Sequence, residues 1–137
     1  MVQLVCGHSG TGKTRRMIEM ANKAIDNIHG RMVFLEANNR HIFDLDYRIR
    51  YINTKEFGLT NEDEFQGFVC GVIATDYDIE QVYIDGLYKI AKSGKEKLEP
   101  VIERLDYLSK TFDVNFIISV NHDIEDIPEG LRDRVIS

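Results

Sequence analysis

The chain has 137 residues, 43% of them hydrophobic and 29% charged, a globular composition whose length suits one domain around one core. Its net charge of −6 disfavours a surface devoted to nucleic acid, because that affinity comes largely from neutralising phosphates, and leaves room only for a local basic patch. There is no apolar run of the roughly 18 residues a membrane helix needs and no basic-then-apolar leader, so the protein is expected in the cytoplasm.

In chain order, Val2-Gln3-Leu4-Val5-Cys6 reads as a first strand. A glycine-rich loop follows, then a helix with Met17, Ile18, Ala21, Ala24, Ile25 and Ile28 at three-to-four spacing, stopping near Gly30. Arg31–Glu36 is a second strand and Ile49–Asn53 a third. Thr60-Asn61-Glu62-Asp63 resembles a capping box opening a helix that carries Phe65, Phe68, Val69, Val72 and Ile73. Gln81–Asp85 is the fourth strand. Leu98, Val101, Ile102, Leu105 and Leu108 mark another helix, with Ser93-Gly94 favouring an early start and Pro100 demanding a place in the first turn. Asn115–Asn121 is the fifth strand, apolar enough to be covered on both faces. Alternating strands and helices without repeats or long linkers predict an α/β fold with a mainly parallel sheet, in a single domain spanning 1–137. Cys6 and Cys70 read as small buried residues in a reducing compartment, and no Cys/His cluster has zinc spacing.

Gly7-His8-Ser9-Gly10-Thr11-Gly12-Lys13-Thr14 fits G-x-x-x-x-G-K-[ST], the P-loop pattern. Its glycines let backbone N–H groups curl around anionic oxygens, and the helix beginning at Lys13 adds its positive end. Lys13 reaches the outer phosphates and Thr14 offers a hydroxyl to Mg²⁺. The whole loop and the adjoining Arg15 are therefore the expected nucleotide contacts. A P-loop needs a second acidic group for the metal, and Asp85 at the end of Val82-Tyr83-Ile84 lies where a Walker-B aspartate would.

On these residues the chain resembles the P-loop NTPases from Val2 to about Asn121, in the branch with an extra strand between the P-loop and Walker-B strands. The resemblance implies a three-layer α/β/α sandwich with strand order 3-2-4-5-1, ATP and Mg²⁺ as ligands, and ATP hydrolysis. Ser119 and Asn121, at the end of the inserted strand, match the polar residue that senses the γ-phosphate, and Asn121 is placed with the catalytic group. Many members carry a Glu directly after the Walker-B Asp, where this chain has Gly86. RecA-family proteins instead end the second strand with the catalytic glutamate, and "VFLEANN" puts Glu36 at that point. The segment "SVNHDIEDIPEGLRDRV" looks like the stretch of AAA+ and DnaA-type ATPases that ends in an arginine finger. That makes Arg134, ahead of Arg132, the residue to enter a neighbouring subunit's site. A solvated helix end explains Arg134 as well, and no helical lid follows.

Other residues invite plainer readings. His8 shares the loop, but it and His122 are read as ordinary exposed loop histidines. Lys89, Lys92, Lys95 and Lys97, with Glu96 and Glu99 among them, form a solvated face, and Tyr47, Arg48, Arg50 and Tyr51 suit a sheet edge as well as nucleic-acid stacking. Order 3-2-4-5-1 leaves strand one near an edge that must be covered. The C-terminal Val135-Ile136 or another subunit is expected to pair with it. Two further functions stay open: a non-hydrolysing nucleotide switch that presents a surface to a partner, and a small-molecule kinase of the nucleoside type.

Overall fold

The computed structural model describes residues 1–137. Five strands, β1 (Val2–Gly7), β2 (Arg31–Glu36), β3 (Arg50–Asn53), β4 (Ile79–Asp85) and β5 (Asn115–Asn121), form one sheet in the order β1-β5-β4-β2-β3. Every pairing is parallel, so all five carboxyl ends emerge along one rim. This is the order expected from the sequence, read from the other edge.

The helices are α1 (Lys13–Ala24), α2 (Glu62–Ala74), α3 (Leu87–Ala91) and α4 (Leu98–Phe112). Side-chain alternation along each strand assigns them to faces. Leu4, Val33, Leu35, Val82, Ile84, Phe116 and Ile118 point to the face covered by α2, α3 and α4, where the larger core forms. Val5, Met32, Phe34, Tyr83 and Ile117 point to α1 through Met17, Ile18 and Ala21. The result is the three-layer α/β/α sandwich. Because both faces are covered, the central strands are apolar throughout, and each buried aliphatic side chain contributes about 1.5–3 kcal/mol of transfer free energy. None of the helices is long and apolar enough to cross a membrane.

Local signals explain most boundaries. Asn61 caps α2 by accepting from the Glu64 N–H at 2.9 Å, and the Glu64 carboxylate reaches back to the Thr60 N–H at 2.6 Å, a capping box displaced by one residue. Helix α4 begins at Leu98 behind a short 3₁₀ turn (Lys95–Lys97), so Pro100 falls in the first turn, where its missing N–H costs nothing. Helix α1 ends at Ala24, before the apolar spacing runs out; Ile25 and Ile28 still pack inward from the turn that follows. Helix α3 has five residues, too few to show a period, and was not anticipated.

The edge of β1 is covered from within the chain. The Ile136 N–H donates to the Leu4 carbonyl at 2.9 Å and the Cys6 N–H to the Ser137 carbonyl at 2.8 Å, so residues 135–137 lie along β1 as an extra parallel segment. Arg134 anchors this segment with a two-pronged ion pair to Asp106 on α4, at 2.7 and 2.8 Å, and a bond to the Val2 carbonyl. Both partners are largely shielded, which makes the pair worth about 1 kcal/mol. Asp106→Ala and Arg134→Ala should each lower stability to chemical denaturation by about that amount, and the double variant by little more. Fully additive losses would show that the two side chains do not act together.

Candidate functional site

A cleft of about 480 Å³ lies along the carboxyl rim of the sheet. From the P-loop, Ser9, Gly10, Gly12, Lys13 and Thr14 line it; from the other strand ends come Glu36, Asp85, Ser119 and Asn121, joined by Lys89, Arg40 and His41.

The loop is built for an anion. Gly12 caps α1 in a left-handed conformation (φ 84°), and α1 has no acidic residue in its first turn and no side-chain cap. Its leading N–H groups thus lack intrahelical acceptors and present the positive helix end to the cleft. Lys13 is buried, and its ammonium spends one donor on the His8 carbonyl at 2.7 Å. Burial pulls its pKa below the ordinary value, Asp85 opposes that, and the charges of Arg16 and Lys89 add to it. The Thr11 hydroxyl also turns to the His8 carbonyl. The His8 ring faces Asp123 at 2.8 Å, away from the cleft, and Arg15 lies beside a separate shallow cavity with Glu19 and Asp44.

Opposite the loop, the parallel register of β2 and β4 sets Glu36 directly beside Asp85. Both are buried, at 4% and 7% exposure. Asp85 Oδ2 accepts from the Thr14 hydroxyl and Oδ1 from the Ser119 hydroxyl, each at 2.8 Å, and Ser119 in turn accepts from the Gly86 N–H at 2.7 Å. Glu36 is held by the Tyr51 hydroxyl at 2.6 Å and by His41 Nδ1 at 3.1 Å from both oxygens. The Tyr51 hydroxyl also lies 2.7 Å from the Asn38 carbonyl, which can only accept. One hydroxyl proton cannot serve both oxygens, and when it serves Asn38 the Glu36 carboxyl must supply the other. Electrostatics agree: burial pushes Glu36 above its ordinary 4.5, the neighbouring Asp85 adds to the rise, and the Tyr51 and His41 bonds only partly offset it.

The Thr14 hydroxyl and the Asp85 carboxylate are hard oxygen donors of the kind Mg²⁺ takes. The chain has no group of three His, Cys, Asp or Glu side chains able to cage a metal. A cation here would complete its shell with phosphate and water oxygens, the usual habit of Mg²⁺.

Of the residues singled out from the sequence, Ser9, Gly10, Gly12, Lys13, Thr14, Glu36, Asp85 and Asn121 meet in this cleft; Asn121 bonds the Ser9 hydroxyl at 3.3 Å. Arg134 does not, since its Val2 and Asp106 partners place it at the opposite end of the strands. One plain reading needs correction and another an addition. His122 is not an exposed loop residue: it is buried, 2.5 Å from the Tyr88 hydroxyl, and its carbonyl accepts from Gly7 at the base of the loop. Lys89 is exposed, as expected, and also borders the cleft. Gly86 takes φ 81°, a conformation that penalises any other residue, and turns the chain straight into α3. Helical side chains lean toward their N-terminus, so Lys89 lies back over Gly86, its Cδ 3.9 Å from where a Cβ would stand, and enters the cleft. No periodicity announces this; only the turn at Gly86 does.

No protein-family model matches the chain, and no curated protein matches it. Among solved structures, the crystal structure of a KaiC-like protein from the hyperthermophilic archaeon Pyrococcus horikoshii OT3 is similar, with a TM-score of 0.68 and 20% identity over 96% of this chain and 67% of that one. At that identity the likeness shows the fold alone: an α/β/α sandwich around a five-stranded parallel sheet.

The raised Glu36 pKa fixes a sign. Between pH 4.5 and its folded value, Glu36 keeps a proton that the unfolded chain has released, so stability falls as pH rises across that window. Glu36→Gln removes this loss. Its melting temperature relative to the unmodified protein, measured with chelator and without nucleotide, should therefore climb as pH is raised from 4.5 and then level off. A difference independent of pH would contradict the shift.

Proposed function

We propose that the protein is a single nucleotide-binding domain that takes up ATP with Mg²⁺ in this cleft and hydrolyses its terminal phosphate. The observation that carries the reading is the placing of two buried carboxylates, Glu36 and Asp85, on adjacent strand ends facing Lys13 and Thr14 of the phosphate loop. The loop N–H groups and Lys13 hold the phosphate chain. Thr14 and Asp85 would hold Mg²⁺, which when bound neutralises charge on the phosphate oxygens. Asn121, Ser9 and Lys89, which line the cleft, would surround the terminal phosphate.

Glu36 is the base. It orients a water whose oxygen attacks the γ-phosphorus while the bond to the β-phosphate oxygen breaks, and it accepts the water's proton. A base must be ionised, and the Tyr51 and His41 bonds favour that form and fix the carboxyl's direction. The position after Asp85, where a glutamate would otherwise act, is Gly86, whose left-handed turn disfavours a residue with a side chain. Lys89 adds positive charge in cis where charge builds up in the transition state. Within its own subunit Arg134 has no part in this chemistry.

Phosphate release and nucleotide binding measured on the same samples test the reading. Lys13→Ala should weaken binding at least about tenfold. Glu36→Gln should bind normally and turn over about 10²-fold slower or worse. Unchanged turnover in Glu36→Gln would remove Glu36 as base, and binding without turnover in the unmodified protein would select the non-hydrolysing switch. Lys89→Ala should lower kcat by about 10²-fold with affinity nearly intact; a change in affinity alone would reduce Lys89 to a rim charge.

A further inference from the structure

The cleft does not end at Glu36. Along the carboxyl rim the strands present, in spatial order, the phosphate loop after β1, Ser119 and Asn121 on β5, Asp85 on β4, Glu36 on β2 and Thr54 just after β3. Past Glu36 a second cavity of about 430 Å³ opens, sharing Ala37 and Lys89 with the first. It lies at the far end of the row from the phosphate loop, next to the proposed base.

Its charge is unusual for this molecule. Lys55, Lys89 and Lys92 line it, and no carboxylate does. The other large cavities each contain at least one Asp or Glu, and the chain as a whole carries −6. All three side chains are exposed, and none of their ammonium groups is tied up in an ion pair, as holds for the chain's other lysines. Water screens the repulsion among these exposed cations, and what they offer is three free donors converging on one hollow where an anion can be held by several at once. The remaining wall includes Leu59 and Ile90, and the volume falls within the range of small-molecule sites.

We propose that this compartment is an oxyanion subsite that binds a phosphate group. The group is either the inorganic phosphate leaving the nucleotide or the phosphate of a small phosphorylated molecule. The proposal rests on the nucleotide reading only for what lies on its other side. Lys89, common to both cavities, is the point at which a phosphate passes from one to the other. Lysine suits such a place, since a flexible point charge follows a moving anion where a planar guanidinium would fix it.

The test uses the full chain saturated with ADP and Mg²⁺, so that the loop's own phosphate positions are filled, titrated by calorimetry with inorganic phosphate and, separately, with glycerol phosphate. The unmodified protein should show saturable binding of one equivalent. Lys55→Gln/Lys92→Gln, which alters neither the loop nor the carboxylates, should weaken it about tenfold or more while leaving ADP affinity within about twofold. Tighter binding of inorganic phosphate identifies the leaving group as the occupant, and tighter binding of glycerol phosphate a phosphorylated small molecule. No binding, or binding equal in the double variant, overturns the proposal. If ADP itself does not bind, the nucleotide reading has failed separately. The same titrations on nucleotide-free Lys13→Ala, with and without the Lys55 and Lys92 changes, still read the compartment.

Discussion

Two carboxyl groups buried side by side repel each other strongly unless a proton or a cation intervenes, and the pair Glu36–Asp85 sets the terms for everything around the cleft. The register of β2 against β4 makes the pair unavoidable. Asp85 is satisfied by the hydroxyls of Thr14 and Ser119, from α1 and β5, and Glu36 by Tyr51 and His41, from β3 and the loop before it. Each support comes from a different element, so the site exists only when the sheet is complete. Tyr51 is itself steadied by stacking: its ring lies 6.2 Å from Phe34, which lies 5.7 Å from Tyr83, a row of aromatics beneath the acidic pair on the α1 face. Core packing and site geometry are here the same set of contacts.

Charge in the cleft is then divided by position. Lys13, the glycine-rich loop and Lys89 line the same cleft of about 480 Å³ as the acidic pair. The turn at Gly86 is the hinge of this arrangement. A residue with a side chain would resist φ 81° there, and a different turn would send Lys89 elsewhere. The same glycine that departs from the Walker-B-plus-glutamate pattern thus brings a lysine into the cleft, while the carboxylate comes from the neighbouring strand.

The margin of the sheet sets a second constraint. A parallel sheet with the strand before its glycine-rich loop at the margin exposes unpaired backbone groups next to the cleft. Residues 135–137 supply partners, Arg134 locks them to α4 through Asp106, and the Arg16 guanidinium bonds the Cys6 carbonyl and the Ser137 hydroxyl, joining α1 to the same edge. The anchoring of Arg134 explains why an arginine stands at that point without reference to a neighbouring subunit.

The layer architecture and strand order came through a resemblance, while local patterns in the sequence determined the strands, three of the four helices, the parallel α/β class and the glycine-rich loop. Their causes lie within a few residues: two-residue and three-to-four-residue spacing of apolar side chains, a capping Asn61, a first-turn Pro100, and glycines where the backbone must curl around an anion. Glu36 and Asp85 were legible as strand-end carboxylates, with Glu36 picked out only through a resemblance. Tertiary structure decided what pairwise spacing cannot encode. It set Glu36 against Asp85, brought Tyr51 and His41 to hold it, buried His122, tied Arg134 to Asp106, and gathered Lys55, Lys89 and Lys92 around one hollow. Those residues lie far apart along the chain or on short turns without a period, and their neighbours are chosen by strand order and helix direction, which only the folded sheet supplies.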